Sequence, residues 1–135
     1  MGSFADYLED KVLDYVFSKA AFTPATTLYL GLSTTTITDA GGNITEPSGN
    51  NYARVAVTNN ATNFPASSGG AKANGAALSF PQASGAWGDI IDFFLTDAET
   101  GAGNIYGFGT LTTHKDVTAG DTLSFAIGDL DITLG

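Results

Sequence analysis

The sequence predicts a mainly β fold, a β-sandwich of the jelly-roll kind with one N-terminal amphipathic α-helix. Apolar residues recur at helical spacing only up to about residue 19. From about residue 26 they alternate with a period of two, and turn-forming clusters interrupt the chain at short intervals. Composition agrees, because 43% hydrophobic against 14% charged residues argues for a folded chain whose neutral polar residues are those of strands and turns. At 135 residues the chain has the size of one domain, 1–135, able to bury a core without disulfides or metals.

The helix is expected over about residues 3–19, "SFADYLEDKVLDYVFSK". Ser3 stands as its N-cap, and Asp6 lies in the electropositive first turn, an incomplete capping box because Asp replaces Glu. Phe4, Leu8, Val12, Tyr15 and Val16 share one face, with Asp6, Asp10 and Asp14 on the other side. Tyr7, Leu13 and Phe17 flank the acidic stripe, which is more apolar area than one contact needs. A second contact, with a partner chain, is expected to use them.

Strands follow over about 26–134. In "TLYLGLS", Leu28, Leu30 and Leu32 alternate with Tyr29 and Gly31, as in a strand with one buried face. "DAGGN" and "EPSGNN" read as turns, "YARVAVT" (52–58) as a strand, and the Gly/Ser/Ala-rich stretch 59–74 as a loop, the most mobile part expected. "AALSF" (76–80), "WGDIIDFFLTD" (87–97), "NIYGFGTLTT" (104–113), "DTLSFAIG" (121–128) and "DLDITL" (129–134) complete the series. Gly107 and Gly109 alternate with Tyr106 and Phe108, so a bend or a close backbone approach is expected there.

Residues capable of chemistry are few and scattered. His114 is the sole histidine, placed in a loop "HKDVTAG" without a nucleophile elbow, and zinc would find one His and no Cys. "DAETGAGN" (97–104) resembles the opening of a calcium loop, but Thr100 and Gly101 break the ligand spacing and no closing Glu follows, which favours a turn. Asp89 with Asp92, or Asp129 with Asp131, could serve a glycosidase as acid and base. Strand alternation with Leu130, Ile132 and Leu134 already accounts for the second pair. Asp116 and Asp121 in "KDVTAGDTLSF" need only turn chemistry. Arg54, the one arginine, is expected to pair with a carboxylate. Trp87, Phe93 and Phe94 are readable as a carbohydrate platform and more naturally as core. The sequons at Asn43 and Asn60 matter only in a secretory pathway. No catalytic, cofactor-binding or metal-binding residue is expected.

A net charge of −9 repels a phosphate backbone and excludes nucleic acid as a partner. "MGSFADYLED" has no basic segment followed by an apolar core, so neither a signal nor a membrane span is expected.

The order of motifs resembles a family of small tailed-bacteriophage virion proteins, often labelled phage tail fibre proteins. The likeness rests on "YLEDKVLDYVF", "TTLYLGLSTT", "DAGGNITEPSGNNYARVAV", "FPQASGAWGDI", "LTDAETGAGNIYGFGTLTT" and "VTAGDTLSFAIGDLDITL", which together cover nearly the whole chain. The resemblance implies a structural protein of the virion, assembled in the bacterial host cytoplasm, with no enzymatic activity and with the major capsid protein or tail proteins as partners. A compact acidic domain without a shaft repeat fits a capsid decoration or cement protein, with a tail fibre or adaptor, including one that binds host-surface carbohydrate, as the alternative. Self-association, with a trimer favoured by analogy to virion β-modules, is expected to use Phe4, Tyr7, Leu8, Val12, Leu13, Phe17, Gly107 and Gly109.

Overall fold

The computed structural model describes residues 2–134. The chain runs β1 (Gly2–Phe4), α1 (Asp6–Ser18), β2 (Thr27–Ser33), β3 (Val55–Thr58), β4 (Ala71–Ala73), β5 (Leu78–Ser79), β6 (Gly88–Thr96), β7 (Ile105–Val117), β8 (Ser124–Phe125) and β9 (Asp131–Thr133). Seven strands form one sheet in the order β3-β2-β6-β7-β1-β9-β4, and β5 pairs with β8 in a separate ribbon. The fold is mainly β and sandwich-like, with its helix at the N-terminal side, as the periodicity indicates.

Alternation in the strands builds the core. Leu28, Leu30 and Leu32 of β2 enter a main cluster with Ile90 and Phe93 of β6, and Leu78 and Phe125 bring the ribbon onto the same face. The Phe93 and Phe125 rings meet edge to face at 5.8 Å. Ile90 and Phe93, three apart, share that face because the register shifts between Ile90 and Asp92. Phe94 therefore points the other way, into a second cluster with Ala5, Ile37 and Ile105.

Both faces of the central sheet are thus covered, so Gly31 and Ser33 are buried along with the leucines. Ser33 Oγ donates to the Thr35 carbonyl at 2.7 Å and accepts from Thr45 N–H at 3.1 Å, which pins the 34–45 segment over the second face. Gly31 must be glycine, because a Cβ there would lie 2.6 Å from Phe94 Cε1.

The N-terminus departs most from expectation. Residues 2–4 are a strand, not the start of a helix, and Ser3 caps nothing: the N-cap is Ala5, which has no side-chain cap bond. Pairing overrides local propensity here. Gly2 and Phe4 lie opposite Gly109 and Gly107 of β7, antiparallel, while Gly2 is parallel to Ile132 of β9. A Cβ on Gly107 would sit 3.0 Å from the Ser3 carbonyl oxygen, so the close approach expected at the alternating glycines is made by this chain's own first strand.

Other boundaries move as well, and the strands expected over 52–58, 76–80 and 121–128 shorten to Val55–Thr58, Leu78–Ser79 and Ser124–Phe125. Strand β7 runs on through His114, Lys115 and Asp116, expected in a loop, because Asp116 and Lys115 pair with Asp89 and Ile90 of β6 beyond a register shift. The stretch 59–74 contains β4, which pairs with β9. Its first turn is fixed by Asn60 Oδ1, which accepts from the N–H groups of Thr62 and Asn63 at 3.1 and 2.9 Å. Among the described residues no helix is long and apolar enough to cross a membrane.

Candidate functional site

Burial along α1 is decided by position on the axis rather than by helix face. The first two turns lie on the sheet: the Tyr7 ring packs tilted against Tyr106 at 5.6 Å and edge to face with Phe22 at 6.4 Å, and Leu8 packs against the main cluster. Beyond Val12 the helix outruns the sheet. Leu13, Tyr15, Val16 and Phe17 are 54, 60, 57 and 81% exposed.

The sequence divided these residues differently, with Tyr15 and Val16 covering the sheet and Tyr7 free for a partner. Tyr7 packs inward, Tyr15 and Val16 face out, and only Leu13 and Phe17 lie where the second contact was expected. The helix ends where Lys19 turns left-handed (φ 55°), and Ala20 N–H bonds back to the Asp14 carbonyl at 3.1 Å. The exposed side chains therefore sit on a terminated helical turn.

Beside the first turns of α1 lies an apolar groove of about 270 Å³. Leu28, Leu95, Tyr106 and Leu130 form its buried floor, and Phe4 and Leu8 stand on one side. Phe64 and Ile132 also line it, and Leu134, 61% exposed, forms part of its rim. Lys72 is the one charged residue in the lining. Gly107 also lines it, whereas Gly109 is buried opposite Gly2. The groove escaped the sequence because the parallel pairing of β1 with β9 brings Leu130 and Ile132 beside Phe4, and no local pattern announces that pairing. The alternation of Leu130, Ile132 and Leu134 was the visible part of the signal.

The polar candidates resolve into architecture. Arg54 holds Glu46 through both carboxylate oxygens, Nε to Oε2 at 2.8 Å and Nη2 to Oε1 at 2.9 Å, and donates to the carbonyls of Ala98 and Gly101 at 2.6 and 2.7 Å. The expected carboxylate pairing is thereby found, and it ties two loops to β3. Tyr52 hydroxyl donates to Glu46 Oε2 at 2.7 Å and accepts from Leu32 N–H at 3.0 Å. Burial, reinforced by the bond to Glu46, holds its proton well above the usual phenol range.

Asp97, the head of the calcium-like stretch, accepts from Asn104 N–H and Nδ2 at 2.8 and 2.9 Å and so closes its own turn. Asp121 Oδ2 accepts from Thr118 N–H at 2.9 Å and Gly120 has φ +90°, the turn expected; Asp116 instead lies in β7 opposite Asp89. His114 Nδ1 is 3.4 Å from Asp89 Oδ2, both half exposed. Asp92 is buried and accepts from Ile37 N–H at 2.7 Å, and Asp129 Oδ2 accepts from Ala126 N–H at 3.2 Å in a turn rather than on a strand. Trp87, Phe93 and Phe94 are all core, the Trp87 indole donating to the Asn50 carbonyl at 2.9 Å.

The Gp80 family, described as podophage GP4 fiber I protein gp80, matches residues 3–133. The chain belongs to this family. No curated protein matches it. A Gp80 chain is thus a phage structural protein of the fibre type, in line with the resemblance that the sequence motifs carry. The match spans the helix end and every groove-lining residue except Leu134, so the two features belong to the region shared with the family.

Proposed function

We propose that this chain is a non-enzymatic structural component of a phage virion that is docked through the exposed end of α1. The observation that carries the reading is the set of four large apolar side chains, Leu13, Tyr15, Val16 and Phe17, exposed on one terminated helical turn. Such a cluster exceeds the scattered apolar exposure of ordinary surfaces and marks a contact site. The turn and strand roles of the acids support the absence of catalysis. The family description favours a position in the fibre, and the single domain of the chain keeps decoration of the capsid shell as the second position.

Gold labelling of the protein in intact particles separates the two, with label at the tail expected and label over the shell pointing to decoration. The docking reading is tested by Phe17→Ser and Tyr7→Ser. Phe17→Ser should move the unfolding midpoint of the monomeric chain by less than about 2 °C, because surface changes cost within about 0.5 kcal/mol, and should reduce incorporation into particles. Tyr7→Ser should lower the midpoint by roughly 7 °C through loss of about 2 kcal/mol of aromatic packing. Full incorporation of a stable Phe17→Ser protein would refute docking through the helix end.

A further inference from the structure

We infer that the occupant of the apolar groove is the α1 end of a second copy of this chain, with Phe17 as the inserted side chain. The inference names the partner in the docking reading above and rests on it for the role of the helix end.

Size is the first argument. A cavity of about 150 Å³ is enough to bind a benzene ring. The groove, at about 270 Å³, has room for the Phe17 ring together with part of Leu13, its neighbour one turn back on the same side of the helix. The same chain's helix end cannot fill its own groove, because Phe17 is nine residues beyond Leu8, which lines it, a separation of roughly 14 Å along a rigid helix.

Charge is the second argument. Asp10 and Asp14 form the column next to Leu13 and Phe17 on α1, so any groove that takes the apolar column must accommodate two carboxylates beside it. Lys72 supplies the matching charge. Its ammonium donates to the carbonyls of Phe64 and Pro65 at 3.2 and 2.6 Å, which uses two of its three N–H donors. No carboxylate of the described residues forms an ion pair with it. In a chain of net charge −9, this groove presents a cation and no anion.

Position is the third argument: of the exposed apolar side chains, Leu13 and Phe17 share one side of the helix and can enter one groove together, whereas Tyr15 projects from the opposite side. Knob and groove lie on different parts of one surface, so the contact can close as a reciprocal pair or as a ring, the trimer expected from the sequence among them.

The chain has no cysteine, which permits a clean test. Sedimentation of the purified full chain is expected to show a closed oligomer that Phe17→Ser converts to monomer. Ser18→Cys protein, which keeps Phe17 and carries its thiol on the exposed residue beside it, mixed with Leu134→Cys protein and oxidised is expected to give the mixed covalent dimer in excess over either self-linked one. Lys72→Glu should weaken association at least tenfold at low salt, and its combination with Asp14→Lys should restore it. A monomeric parent protein, or an oligomer that yields no mixed cross-link, overturns the second-copy assignment. If the parent is monomeric and Phe17→Ser still loses incorporation into particles, the virion-docking reading stands and its partner is another protein.

Discussion

Replacing Arg54 by Met should cost about 3 kcal/mol, at the lower end of what removing one partner of a buried ion pair costs. The Arg54 side chain is 6% exposed, and its loss strands the Glu46 carboxylate and removes the donors to the Ala98 and Gly101 carbonyls. The lower end applies because Glu46 keeps 25% of its surface in water and retains the Tyr52 hydroxyl. With an unfolding entropy near 2.1 cal/mol/K per residue, 1 kcal/mol corresponds to about 3.5 °C for a chain of this size, so the midpoint should fall by about 10 °C. The decisive comparison is the double variant Arg54→Met/Glu46→Leu. With both charges gone and apolar volume in their place, it should lose only about 1–2 kcal/mol, less than the single Arg54 change. Thermal unfolding by circular dichroism at neutral pH reads both. A fall under about 3 °C for Arg54→Met, or a double variant less stable than the sum of its singles, would refute the account of this clamp.

Two further outcomes follow from the core. The Tyr52 phenol keeps its proton in the folded chain at pH values where an unfolded tyrosine loses it, near about 10. Stability is therefore fully present below that pH and falls above it, by up to about 1.4 kcal/mol per pH unit, with Tyr106 contributing in the same direction through its burial. Urea midpoints between pH 8 and 11.5 should show the decline, and Tyr52→Phe should flatten it. Gly31→Ala should cost about 2–3 kcal/mol by overpacking, because the Phe94 ring it meets is itself wedged under the Arg54 guanidinium, 5.1 Å away. Phe94→Leu in the same chain should recover part of the loss, and no recovery would show that the ring is not what resists the added methyl.

Periodicity made most of the architecture legible. The switch from a 3.6-residue to a two-residue pattern located α1 and β2, and turn residues separated the later strands. What could not be read locally was set by long-range pairing. Ser3 and Phe4 fit a capped helix, yet they form a strand because β7 offers two glycines against which β1 can lie. His114 and Asp116 fit a loop, yet β6 extends beside them. The candidate site was half visible for the same reason. Helix spacing identified Leu13 and Phe17 as surplus apolar residues but could not reveal that the sheet ends beneath Val12, which exposes Tyr15 and Val16 and hides Tyr7.

The seat of β1 also fixes an order of events in making the protein. Gly2 hydrogen-bonds into a sheet position bounded by Gly109 on one side and Ile132 on the other. On the ribosome residues 2–4 emerge long before either neighbour exists. The β2–β3 hairpin, and then β6, can assemble from what has been synthesised, whereas β1 must wait unpaired with α1 attached, its apolar residues open to other nascent chains. Pairings of such sequence separation close slowly. The strand that joins β7 to β9 is made before both of them and seated after both.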